Sequence, residues 1–253
     1  MVNQSHSMNA HPLIRFSAKQ VARNPRWLLM LLLWLPVSML HAENGPSSNI
    51  AWDAAQVNFV KSGDPARGKK LNQELTCAMC HGEQGVSEGR NWPDLAGQNP
   101  NYLFKQLLDY HDHKRADTEA AKVMVELAGQ LTQQDMADLA MYYAQFPLPP
   151  GEDPAFVDET AEQAAQKLVQ FGDGQRMIPP CFACHGTHGE GNTVDMPALA
   201  GQQAVYFRNT MRDFKNGRRH NDIYGRMRYM SKALTLEEID ALAQYYAKMR
   251  PPE

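Results

Sequence analysis

Cysteine is scarce in this chain of 253 residues: there are four. They fall in two short stretches, which leaves none for a disulfide framework, a separate thiolate nucleophile or a third thiolate metal site. Long apolar runs are also lacking. The one present, Trp27 to Leu40, has 14 residues and is interrupted by Pro36, whereas a spanning helix needs ~20. With a mean hydropathy of -0.52, a polytopic membrane protein is excluded. Alternating apolar and polar strands are missing, and so is the βαβ pattern that a thioredoxin-like dithiol requires. A basic excess is lacking as well. Residues 1–42 carry Arg15, Lys19, Arg23 and Arg26 and no acid; the remainder holds 21 basic against 28 acidic residues, a net of -7. That balance disfavours nucleic acid as a partner.

The polar, basic start, the apolar run and His41-Ala42 before polar Glu43 follow the order of a secretory signal, with cleavage after Ala42. The expected product is exported to the periplasm. The basic region is long, and a retained segment 27–40 would hold the protein at a membrane instead.

What the chain does contain is one pattern twice. Cys77-Ala78-Met79-Cys80-His81 and Cys181-Phe182-Ala183-Cys184-His185 both read C-x-x-C-H, the attachment pattern of a c-type haem. Two thiols on one helical turn add to the porphyrin vinyl groups, and the histidine follows as proximal iron ligand. A zinc reading would discard both histidines or join pairs 104 residues apart. The expected cofactors are two covalent haem c groups on Cys77, Cys80, Cys181 and Cys184, with iron on His81 and His185.

The repeat extends well beyond the motifs. At an offset of 104, Pro93, Leu95-Ala96-Gly97-Gln98, Tyr102 and Asp109 match Pro197, Leu199-Ala200-Gly201-Gln202, Tyr206 and Asp213. At 103, Met124 matches Met227, Leu131-Thr132 matches Leu234-Thr235, and Tyr142-Tyr143-Ala144 matches Tyr245-Tyr246-Ala247. The domains expected are 43–150 and 151–253, with a stiff proline-rich link, Pro147 to Pro154. The pattern within each is all helical. Asp64-Pro65 opens a helix to about Leu75, and its counterpart starts at Thr160 and stops before Gly172. Helices follow over about Asn101–Asp112 and Ala204–Asn216, and last helices open at the capping boxes Thr132-x-x-Asp135 and Thr235-x-x-Glu238.

A filled sixth iron position makes a carrier, and an open one binds oxygen or peroxide. Met124 and Met227 recur at matching places, each seven residues before the Leu-Thr that opens the last helix, in what reads as a loop. Met230 is a rival in the second unit. Met136 and Met141 read as packing, and His111, His113, His188 and His220 do not recur at the offset.

These features together resemble the dihaem cytochrome c4 family, two fused class I cytochrome c domains, over about residues 60–250. The similarity rests on both haem motifs, on Pro93-Asp94-Leu95-Ala96-Gly97-Gln98 and Pro197-Ala198-Leu199-Ala200-Gly201-Gln202, on the spacing of the methionines, and on Arg219-His220-Asn221-Asp222. The resemblance implies that the carbonyls of Pro93 and Pro197 orient the two histidines and that Leu95 and Leu199 pack on the porphyrins. Where the family has a helix-crossing glycine, Gly68 fits, but Ala165 stands in the second unit, which raises the expectation of wider packing there. The second unit also carries about seven extra residues near Phe171 to Pro180, and residues 43–60 have no reading.

The expected function is electron transfer from a quinol-oxidising complex (a quinol–cytochrome c reductase) or a dehydrogenase to a terminal oxidase or similar acceptor, without catalysis. The alternatives are a haem subunit of a membrane-bound dehydrogenase or oxidase complex and a dihaem peroxidase. A basic stretch in the second unit, Arg208 to Lys232, suggests steering of partners by charge, or a solvated helix face.

Overall fold

Most of the described helices begin where short polar side chains accept hydrogen bonds from free backbone N–H groups. The computed structural model describes residues 52–151, 158–192 and 194–250, all within one compact unit, Pro46–Glu253. The signal-like segment 1–42 lies outside the described residues. Asp53 caps α1 (Ala54–Lys61) and Asp64 caps α2 (Pro65–Glu74). A single turn, α3 (Ala78–His81), carries the first haem motif. Asn99 caps α4 (Pro100–His111), Thr118 caps α5 (Glu119–Ala128), and Thr132 forms a full capping box with Asp135 at α6 (Gln133–Ala144).

The second half repeats this order from α2 onward: α7 (Glu159–Phe171), α8 (Phe182–His185), α9 (Ala204–Lys215), α10 (Arg226–Ala233) and α11 (Leu236–Lys248). Among the described residues there is no strand, only two isolated bridges, Asp173 with Ile178 and Asn192 with Met196. No described helix is long and apolar enough to cross a membrane.

Four sequence expectations need correction. First, α7 begins at Glu159, because Asp158, two residues before Thr160, is the cap; its carboxylate accepts from the N–H groups of Thr160 and Ala161. Second, Met124 and Met227 sit within helices α5 and α10, not in loops. The Lys215 ammonium closes the end of α10 by donating to the carbonyls of Ser231, Lys232 and Leu234, a favourable charge for that pole of the helix. Third, part of the unread extension is α1, which buries Val60 and sets Phe59 edge-on against Phe104 at 5.8 Å. Fourth, much of the basic stretch of the second half is paired with acids. Arg208 and Arg212 pair with Asp240, Arg218 with Asp213, Arg226 with Asp195 and Arg228 with Asp222.

Each half has its own apolar core. Phe104, Met136, Leu139 and Tyr142 lie at the centre of the first, and Val169, Phe207, Leu242 and Tyr246 at the centre of the second. In the first core α2 crosses α6 at Gly68, where an added Cβ would stand 2.2 Å from the Asp138 carbonyl oxygen. At the matching crossing of α7 and α11 the buried Ala165 is accommodated, so that crossing leaves room for a methyl group. The link after α6 passes the repeated Leu-Ala-Gly-Gln turns. Gly97 and Gly201 both have positive φ, 65° and 71°, and side chains there would strike Leu148 and Pro149.

A cavity shared by two haem-attachment motifs

Both C-x-x-C-H turns open onto one cavity of about 1610 Å³. A typical site for one small molecule has ~300–1,000 Å³, so this space suits more than one large group. His81 and His185 line it, and so do Met124, Met227 and Met230. Each histidine ring is buried. His81 Nδ1 donates to the Pro93 carbonyl at 2.9 Å, and His185 Nδ1 to the Pro197 carbonyl at 2.9 Å. A carbonyl only accepts, so the proton resides on Nδ1 and Nε2 keeps its lone pair. Burial pushes both imidazoles below the usual histidine range, against the opposing pull of the carbonyls. Both rings are therefore neutral at pH 7, the form that binds a metal.

The four cysteines are free thiols. Burial pushes Cys77 up, and pushes Cys181 up to about 11. Among the described residues no three His, Cys, Asp or Glu side chains converge into a metal cluster, so the two cysteine pairs do not form one zinc site. The methionines pack differently. Met124 rests against Tyr110, Ala121, Val125 and Ala128, whereas Met227 and Met230 both flank the second core.

The cavity wall also shows a demand for negative charge. Arg115 and Arg219 stand at the 104-residue offset and reach across to the other half. Arg115 donates to Tyr206 Oη at 3.2 Å and Arg219 to Tyr102 Oη at 3.1 Å. Their other side-chain partners are Gln106 and Asn221, and their guanidiniums stack on Tyr110 and Phe214. All of these are neutral. Burial resists ionisation of Tyr206, but the two guanidiniums outweigh it and bring the phenol down to about 7. The buried Arg219 and the half-buried Arg115, both with neutral partners, fit a ligand that brings its own carboxylates, as haem does. Thiols, neutral imidazoles, apolar walls and these cations together fit two covalently bound haem groups.

Sequence reasoning did not single out Arg115 or Lys105. The 104-residue offset carries the signal for Arg115 and Arg219. Lys105 has no such signal, since Asn209 stands at its matching place. Its buried ammonium pairs with Asp109 and donates to the Asn221 carbonyl at 2.5 Å.

A mostly helical chain with two matched haem-attachment lobes is a c-type cytochrome of the tandem kind. The cytochrome c family model matches residues 65–145 and 172–249. The chain is 36% identical over 195 residues to cytochrome c4 of Thiocapsa roseopersicina, covering 76% of this chain and 96% of that protein. It is 32% identical to a thiosulfate dehydrogenase electron acceptor of Stutzerimonas stutzeri, covering 71% and 81%. The crystal structure of reduced recombinant cytochrome c4 from Pseudomonas stutzeri superposes with a TM-score of 0.65 at 31% identity, covering 75% of this chain and all of that one. The chain belongs to the cytochrome c4 family. It is an electron-transfer protein of that type, a carrier rather than an enzyme.

Proposed function

We propose that this chain is a periplasmic dihaem carrier, with 1–42 removed on export and haem domains at 43–150 and 151–253. His81 and Met124 hold one iron, and His185 and Met227 hold the other. The observation that carries the reading is the shared cavity, lined by both histidines and both methionines. The repeat favours Met227 over Met230: at the 103-residue offset Met227 falls on Met124, whereas Met230 falls on Leu127, which has no ligand atom.

Bound haem supplies a one-electron ferric/ferrous couple, and a methionine ligand favours the ferrous state. The protein's own residues do the rest. The cysteines tether the group at two points, and the Pro93 and Pro197 carbonyls fix each imidazole by its Nδ1–H. Leu95 and Leu199 line the cavity and keep water off. Arg115 and Arg219 would hold the group's carboxylates where the halves meet.

The donor we favour is a dehydrogenase or a quinol-oxidising complex, and the acceptor a terminal oxidase. The name of the Stutzerimonas relative, an acceptor for thiosulfate dehydrogenase, supports the dehydrogenase. Fractionation of cells with mixing of purified carrier and reduced dehydrogenase tests this. Release with the periplasm and reduction within milliseconds to seconds supports it; retention in a membrane complex favours the subunit alternative.

A further inference from the structure

We infer that Gln98 and Gln202 are reciprocal tuning residues, each setting the electronic character of the haem site in the opposite half. The Gln202 amide is buried and crosses to the first half. Its Oε1 accepts from the Asp94 N–H at 2.9 Å, and its Nε2 donates to the Asp94 carbonyl at 3.0 Å. Gln98 does the same in the other direction. Its Oε1 accepts from the Ala198 N–H at 2.7 Å, and its Nε2 donates to the Ala198 carbonyl at 3.0 Å. Because each amide meets both an N–H and a C=O of one residue, its orientation is fixed by chemistry.

The residues grasped are what give the clasp its meaning. The Asp94 N–H belongs to the same peptide unit as the Pro93 carbonyl, and that carbonyl accepts from His81 Nδ1 at 2.9 Å. The Ala198 N–H likewise shares its peptide with the Pro197 carbonyl, which accepts from His185 Nδ1 at 2.9 Å. Each half thus contains a chain of hydrogen bonds: imidazole to carbonyl, through one peptide, to the glutamine of the other half. A peptide whose N–H is bonded to an acceptor has a more negative carbonyl oxygen, so serial bonds strengthen one another. The glutamine thereby makes the proline carbonyl a better acceptor and the imidazole a richer donor to iron, which stabilises the ferric form. A clasp meant only to join the halves could use any backbone groups along the seam. Gln203 shows this: its Nε2 donates across the seam to the Ser87 carbonyl at 3.2 Å and the Asp94 side chain at 3.3 Å, touching neither peptide.

This inference rests on His81 and His185 being the proximal ligands. It is tested on the full-length mature holoprotein with Gln202→Met, Gln98→Met and Gln203→Met. Each haem is followed separately in a redox titration monitored by NMR, together with the Nδ1–H proton of each ligand histidine in the reduced protein. Gln202→Met should raise the potential of the site attached at Cys77 and Cys80, a roughly twofold change in its oxidised-to-reduced ratio at fixed potential. It should also move the His81 Nδ1–H resonance upfield. Gln98→Met should do the same to the second site and His185. Gln203→Met should do neither. Where a methionine variant fails to fold, Gln202→Asn makes the same test, its shorter amide drawing back from Asp94. Equal shifts at both sites, equal shifts in Gln203→Met, or unchanged potentials and histidine resonances would overturn the inference. A native protein lacking histidine ligation in its spectra would instead overturn the ligand reading, and the inference with it.

Discussion

The two halves of this molecule are built to one plan but hold their scaffolds together differently. In the first, α2 and α6 cross at Gly68, and one helical turn further on the buried Asn72 accepts from the Tyr143 hydroxyl at 2.7 Å. In the second, Ala165 stands at the crossing, Val169 takes the place of Asn72, and the Tyr246 hydroxyl has only the Cys181 thiol for company in place of an amide acceptor. The capping-box acid of each last helix receives an arginine, but from unrelated places. Arg67 on α2 pairs with Asp135, whereas Arg176, in the extra segment before the second motif, pairs with Glu238 at 2.7 Å. Around the cavity the halves agree closely: His81 and His185, Pro93 and Pro197, Gln98 and Gln202, Arg115 and Arg219. Most features that meet the cofactor or the other half are duplicated, Lys105 and Gln203 apart, and several features that only hold helices together have diverged.

The sharpest way to break this comparison is at the sixth iron position. Met124→Ala and Met227→Ala should each convert one haem to high spin, removing half of the methionine–iron charge-transfer band and lowering that site's potential. Met230→Ala should leave the band whole. A band unchanged in Met227→Ala but halved in Met230→Ala would move the ligand by three residues and end the repeat argument there.

The scaffold contrast predicts smaller effects. Gly68→Ala drives a methyl group into the Asp138 backbone and should cost about 3 kcal/mol in denaturant unfolding, near the top of the range for overpacking. Ala165→Gly should cost only about 1 kcal/mol, the helical penalty of glycine. Asn72→Val copies the second half into the first and leaves the Tyr143 hydroxyl without its acceptor, at about 1–3 kcal/mol. Equal costs for Gly68→Ala and Ala165→Gly would mean the crossings are alike after all.

The smallest effect is acid lability. Hydrogen bonds from Arg176 hold the Glu238 carboxyl below its usual range. For Asp135, burial opposes ionisation but is outweighed by Thr132 and Arg67. A carboxyl with a depressed folded pKa contributes stability above its unfolded value, ~4.3 for Glu and ~3.9 for Asp, and loses it as pH falls through the folded value. Melting temperatures should therefore fall below about pH 4, and less so in Glu238→Gln.

Much of this was legible in the residues. The haem motifs, the 104-residue offset and both capping boxes mark the lobes, because ligand spacing and helix caps are local chemistry. The contacts across the seam were not. Gln98 and Gln202 were visible as a matched pair, but nothing local says that each would clasp the peptide beside the other half's proline. The basic run in the second half promised a charged face, yet its partners Asp195 and Asp240 come together with it only on folding. The start of α7 was misplaced because Thr160 and Asp158 are both good caps, and local propensity does not choose between them.

The central claim is that both haem sites are closed by a protein ligand on each side of the iron, as a carrier requires. An optical redox titration of the purified native protein tests it most directly. The account predicts two one-electron transitions, both low spin throughout, with the methionine–iron band present at two equivalents per chain in the oxidised state. A high-spin haem in either site, or a single transition from a single haem, would contradict it.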